Sequence, residues 1–213
     1  DGDIIHVDPG IYFERLEIVH AISLLGTYGP ETTIISGNDP DHQNGLNTYL
    51  IVLNDGTYGE INGEVLIDGF TLRDNFGGGI ETYSINTDVT FSNLIIENNK
   101  AGNFGAGISF IESHDNSQIH INNVIISENI GARAGGGIAC FSSGEVTMTN
   151  CTISNNRTEN GHVPNLQGGA GIYIVAGSGN SILNLNDVTI SGNVIEEEST
   201  LGIGAGIWIE QVG

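Results

Sequence analysis

Positive charge is what this 213-residue chain has least of: 5 Lys plus Arg stand against 26 Asp plus Glu, a formal net charge of −21 at pH 7. A phosphate backbone is bound through a footprint of Lys and Arg that five scattered cations do not supply, so nucleic acid is excluded as a partner. An anionic membrane surface is disfavoured for the same reason. No run of about 18 apolar residues occurs, so no segment reads as membrane-spanning. Cys140 and Cys151 are too few for a disulfide framework, and without a C-x-x-C or a His/Cys cluster they make no zinc site. Both fall at core positions of the repeat described below. That leaves either two buried thiols or one bridge between neighbouring coils. No signal peptide is visible, and the opening Asp1-Gly2-Asp3 reads as mid-motif, so the chain is expected to be a mature or excised fragment truncated at both ends.

What the chain does have is glycine, 32 residues of it, and 38% hydrophobic residues in short recurring runs, which sets it apart from a disordered acidic chain. Five segments share one template: VLIDGFTLRDN from Val65, VTFSNLIIENN from Val89, IHINNVIISEN from Ile119, VTMTNCTISNN from Val146 and LNLNDVTISGN from Leu183. Each is followed by Gly-x-Gly-Ile, ending at Ile80, Ile108, Ile138, Ile172 and Ile207. The first and third positions of a unit are apolar, as are the sixth and eighth, which is the period of two strands each with one buried face. Between them lies a bend at Gly69, Asn93, Asn123, Asn150 or Asp187, residue types that tolerate left-handed backbone.

A third strand begins at the Gly-x-Gly-Ile, so three strands and three turns make one coil. Unit starts are separated by 24, 30, 27 and 37 residues (89−65, 119−89, 146−119, 183−146), with the variation in loops after the terminal Asn and after the third strand. A three-sided coil rising about 4.8 Å needs roughly 20 to 25 residues. Stacking then aligns Asn75, Asn99, Asn129, Asn156 and Asn193 at one corner as a hydrogen-bonded ladder. The glycines supply positive φ or close packing, and they form no phosphate loop because no helix follows. Strands at Ile4–Val7, Leu16–Ile18, Ile22–Leu25, Thr33–Ser36 and Tyr49–Leu53 add about two coils. The expectation is an all-β, single-stranded parallel β-helix (solenoid) of about seven three-strand coils over 1–213, with N-terminal coils in 1–64 and five regular repeats in 65–213.

The opening GDIIHVDPGIYFERLEIVHAISLLGTYGPETTIISG carries Gly-Asp-x-Ile, then Pro9, Gly10, Tyr12 and Glu14, then Ile22, Leu24 and Gly26. It resembles the first coils of pectin-lyase-like right-handed β-helix proteins. The Gly-x-Gly-Ile and terminal-Asn repeats are similar to those of bacterial surface β-helix proteins of the polymorphic outer-membrane and autotransporter-adhesin type. The resemblance implies a right-handed helix and an extracellular or bacterial cell-surface location.

Candidate sites follow from outward-facing positions. A polysaccharide lyase needs an Arg or Lys base near carboxylates, and Arg73 with Asp68 and Asp74 is the one such group. On the first two strands the outward rows read Asp68, Ser92, Asn122, Thr149, Asn186 and Arg73, Glu97, Ser127, Ser154, Ser191, without a carboxylate cluster for a glycosidase. The third-strand rows differ: Glu81, Ser109, Ala139, Tyr173, Trp208 and Tyr83, Ile111, Phe141, Val175, Glu210. Glu81, Tyr83, Phe141, Tyr173 and Trp208 are candidate ligand-binding residues on a sugar-stacking or docking stripe, or else they lie beneath loops. No cofactor is expected. Calcium has two candidate loops, with Asp39 and Asp41 in one and Glu196 and Glu197 in the other, though neither matches an EF-hand or the nonapeptide repeat.

The expected function is a non-catalytic extracellular scaffold or adhesin-like module, binding polysaccharide or a host or neighbour surface. The alternative is a carbohydrate-active enzyme of polysaccharide-lyase type with part of its site outside this chain. Open coil ends add self-association as a third option.

Overall fold

The structure, a computed structural model, describes residues 2–38, 48–54, 61–111, 117–141, 144–159, 168–176, 182–196 and 204–211. Every strand pair is parallel, and strands three or four apart in sequence pair with one another, so the chain winds as a solenoid. Three seven-stranded sheets result, one strand per coil in each, giving seven coils. The first sheet runs from Asp3–Val7 to Ile182–Asn186, the second from Gly10–Tyr12 to Thr189–Ser191 and the third from Leu16–Ile18 to Ile207–Gln211. The N-terminal strands follow the sequence expectation closely, with Gly10–Tyr12 as an additional one.

A fourth sheet was not foreseen. It holds Lys100–Ala101, Ile130–Gly131, Arg157–Thr158 and Val194–Ile195, each beginning immediately after a ladder asparagine. Strands of two residues show no period, so they read as loop in the sequence.

Alternation places Val65, Val89, Ile119 and Val146 in one inward row of the first sheet and Leu72, Ile96, Ile126 and Ile153 in the second. These side chains are buried, and the interior is one continuous core with Phe91 and Phe110 at 6.4 Å between ring centroids. Burying each such side chain stabilises by roughly 1.5–3 kcal/mol. Cys140 and Cys151 are both buried and free.

The corner asparagines form the expected ladder. The amides of Asn99, Asn129 and Asn156 donate through Nδ2 to Oδ1 of the asparagine in the following coil at 3.0–3.1 Å. Each Nδ2 also donates to a carbonyl of the preceding coil, as Asn129 does to Ile96 O at 2.9 Å. The residue before each ladder asparagine has positive φ: Asp74, Asn98, Glu128, Asn155 and Gly192. The left-handed turn there swings the amide inward.

The Gly-x-Gly pair has two separate causes. Gly105 has φ +61°, where an L side chain is strained. Gly107 does not, but a Cβ there would stand 2.5 Å from Gly137 O and 2.7 Å from Ile126 Cγ2. The coils stack too closely at that point for any side chain.

Candidate functional site

The outer face of the third sheet carries one continuous row, in register from coil to coil: Glu17, Val52, Glu81, Ser109, Ala139, Tyr173 and Trp208. All point away from the core, yet their exposure differs sharply. Ser109, Ala139 and Tyr173 are buried, Glu81 and Val52 are half-buried, and Glu17 is exposed. Alternation gives direction but not cover.

The cover is the segment leading into the third strand. In the fourth coil, Phe104 turns back over this face. Its ring lies 4.8 Å from Phe141 edge-on and 6.1 Å from Tyr173 in a stack, and Phe104 bridges to Ala134 in the next coil. Arg133 sits over the same ring at 5.7 Å. Tyr173 is therefore a packed residue whose hydroxyl donates to Glu210 Oε2 at 2.8 Å, and burial raises its pKa. It is no part of an exposed platform. Phe141 and Trp208 are half-buried against this second cluster, and only Tyr83 of the sequence candidates is an exposed aromatic.

In the third coil that cover is missing. Asn99 and Ile108 are 9 positions apart (108−99), as are Asn129 and Ile138 (138−129), but Asn75 and Ile80 are only 5 apart (80−75). The short turn has no length to fold over the sheet. What it leaves open among the described residues is a groove of about 890 Å³, floored by Glu17, Val52, Glu81 and Ser109 and walled by residues 100–104.

Its chemistry is mixed. Tyr49 stands at the back, its hydroxyl donating to Phe104 O at 2.6 Å and sharing a hydrogen bond with Ser109. Burial, and then the nearby Glu81 charge, push its pKa up. Burial also raises the pKa of Glu81 above the usual carboxylate value. Arg15 and Lys100 line the groove, so with Arg133 on Phe104 three of the chain's five cations gather at this corner. Arg15 Nη2 donates to Asn75 Oδ1 at 3.1 Å, and its Nε has no hydrogen-bond partner among the described residues. Lys100 Nζ lies 2.8 Å from Glu159 Oε2. Phe76, in the short turn, is exposed at the rim.

The other sequence candidates do other work. Asp68 accepts a 2.6 Å hydrogen bond from Asn93 Nδ2 and begins a second row of corner amides, in which Asn123 donates to Asn93 and Asn150 to Asn123. Arg73 Nε is 3.4 Å from Asp74 Oδ2, an ion pair at the surface. Glu196 is not a free metal ligand but the partner of Arg157 at 2.6 Å. Among the described residues no group of three His, Cys, Asp or Glu is placed to hold a metal ion. Asp39, Asp41 and Glu197 lie outside the described residues. No helix among them is long and apolar enough to cross a membrane.

Residues 17–213 match the family model described as the right-handed β-helix region. The chain belongs to the right-handed β-helix family. No curated protein sequence matches this β-helix. Among solved structures it is similar to the pectin methylesterase from Yersinia enterocolitica, with a TM-score of 0.57 and 16% identity, over 92% of this chain and 62% of that one. At that identity the likeness is one of fold, and the pectin-lyase-like architecture is shown by it together with the family match. The chain spans less than two thirds of that enzyme's length.

Glu17 is one of the groove residues that sequence reasoning missed, with Tyr49, Val52 and Phe76. Its strand, Leu16–Ile18, is three residues long and outside the five-unit template, so its row could not be registered with Glu81. The signal that existed was the shortened spacing after Asn75.

Proposed function

We propose that this chain is a glycan-binding β-helix module of a bacterial secreted or cell-surface protein, with the groove over Glu17, Val52, Glu81 and Ser109 as its saccharide site. One observation carries the reading: among the described residues, the outer face that Phe104 and its neighbours cover further along is open at the third coil, where the turn from Asn75 to Ile80 is short. A sugar offers apolar ring faces and a fringe of hydroxyls. The groove offers aromatic edges at Phe76 and Phe104 beside the carboxylates, Ser109 and Lys100. The location outside the cell is supported by the likeness of the repeat to bacterial surface β-helix proteins. The acidic surface suits that setting.

The test is a glycan array followed by calorimetry on its hits, with Phe76→Ala and Tyr28→Ala as a matched pair. Both side chains are exposed, at 64% and 67%, so neither substitution threatens the core. Phe76 lines the groove and Tyr28 does not. Binding should weaken about ten-fold or more in Phe76→Ala, the loss of one aromatic contact of roughly 1.4 kcal/mol, and stay unchanged in Tyr28→Ala. An array without hits, or equal effects of the two substitutions, would remove the reading.

A further inference from the structure

We propose that the saccharide held in the groove carries N-acetylated amino sugars, and that the backbone N–H of Gly102 recognises the acetamido carbonyl. This rests on the groove being a saccharide site.

The small fourth sheet has a fixed hydrogen-bonding pattern, in which each strand donates two N–H groups to the coil before it. Ile130 donates to Asn99 O and Ala132 to Ala101 O, Arg157 to Asn129 O and Glu159 to Gly131 O, Val194 to Asn156 O and Glu196 to Thr158 O, all at 2.8–3.0 Å. The first strand of the sheet, Lys100–Ala101, has only half of this. Lys100 N donates to Asn75 O at 2.7 Å, but Gly102, in the place of Ala132, Glu159 and Glu196, has no acceptor among the described residues. The missing carbonyl would come from the third coil, where the short turn from Asn75 to Ile80 adds no strand to this sheet. Lys100 O, directed to the same side, likewise has no donor among the described residues. An unpaired strand edge is a ready acceptor of a further amide. This one belongs to the groove, since Lys100 and Gly102 both line it. Gly102 is exposed, and a Cβ there would meet nothing within 4 Å, so a ligand has room to approach.

What completes the pattern in the later coils is an amide carbonyl, a better acceptor than a hydroxyl or ring oxygen. The common saccharide form of that group is the acetamide of an N-acetylated amino sugar. The charges of the groove point the same way. Glu17 and Glu81 on the floor oppose a carboxylate or sulfate, while Arg15 and Lys100 oppose an ammonium. A neutral amide meets neither repulsion. Its methyl group has an apolar seat, because Val52 packs on the cluster of Tyr49, Ala101 and Ala106 and Phe76 stands exposed at the rim. Lys100 O then remains to accept from a sugar hydroxyl beside the acetamide, and the two carboxylates accept from others.

The experiment titrates the full chain with short oligosaccharides of the gluco and galacto series. Within a series the members differ only at the carbon next to the anomeric centre, which bears an acetamide, a free amine or a hydroxyl. Calorimetry reads affinity, and NMR follows the Gly102 amide proton. In one series the acetamide should bind at least about ten-fold tighter than its amine and hydroxyl counterparts, the worth of one hydrogen bond to a neutral partner. The Gly102 proton should move downfield with the acetamide alone. Gly102→Pro removes the N–H and should level the three affinities, whereas Gly102→Ala keeps it and should keep the preference. Circular dichroism checks that both variants retain the strand signal, and the ligand series on the unaltered chain needs neither. Equal binding of the three members, a Gly102 proton unmoved by the acetamide, or a preference that survives in a folded Gly102→Pro would overturn the inference and leave the groove as a saccharide site. So would glycan-array hits that all lack an acetamide. Absence of binding to any saccharide would remove both.

Discussion

Asn129 Oδ1 accepts from both the backbone N–H and the side-chain amide of Asn99, at 3.0 and 3.1 Å, while Asn129 Nδ2 donates to Ile96 O and to Asn156 Oδ1. One buried amide thus satisfies polar groups in the coils on either side of it. Asn129→Ala would orphan the N–H of Asn99 and take one hydrogen bond each from the Asn99 amide, which keeps Leu72 O, and from the carbonyl of Ile96. At about 1–3 kcal/mol for the unsatisfied N–H and about 0.5–1.5 kcal/mol for each other bond lost, the loss should be at least about 2 kcal/mol. Urea unfolding should show it. Asn193→Ala, at a half-buried position, should cost less because water can replace the amide.

Two glycines five positions apart (107−102) give opposite outcomes. Gly107→Ala forces a Cβ against Gly137 O and Ile126 Cγ2 and should destabilise by about 1–3 kcal/mol, the usual cost of overpacking. A Cβ at Gly102 meets nothing within 4 Å, and its φ is not in the left-handed region. Gly102→Ala should be neutral or stabilise by about 0.4–1 kcal/mol through the unfolded chain. The same urea titration separates the two.

The five regular units were legible because one template recurs in register, and the ladder asparagines followed from it. Cover was not legible. The alternation that points Tyr173 outward is indifferent to Phe104, which reaches it from the previous coils. The small fourth sheet escaped notice because Lys100–Ala101 and its partners are too short to show a period. Of the groove, Glu81 was visible as an outward residue and the short Asn75–Ile80 turn as a spacing. Their connection needed the register that pairs Val52 with Glu81 and Glu17 with Val52.

Burial that favours protonated Glu81 has a stability consequence of definite sign. A carboxyl whose folded pKa is raised contributes its full stability below the unfolded value of 4.5 and loses it as pH rises through the folded pKa. Ionised Glu81 is therefore a cost at neutral pH. Glu81→Gln should raise the melting temperature at pH 7, and the gain should vanish below about pH 4, where both states hold the proton.

Lengthening the turn should close the groove. Replacing the four residues between Asn75 and Ile80 with the eight that join Asn99 to Ile108 supplies a second Phe104-like cover over Val52 and Glu81. The chimera should keep its cooperative unfolding transition and lose saccharide binding about ten-fold or more, which calorimetry on the array hit would show.

The most direct measurement of the central claim is NMR mapping of backbone amides on titration with a bound oligosaccharide. Shifts concentrated at Val52, Glu81, Lys100 and Ser109 are the predicted result. Shifts confined to the first sheet's outward Thr147, Asn184 and His120, with the groove silent, would contradict it.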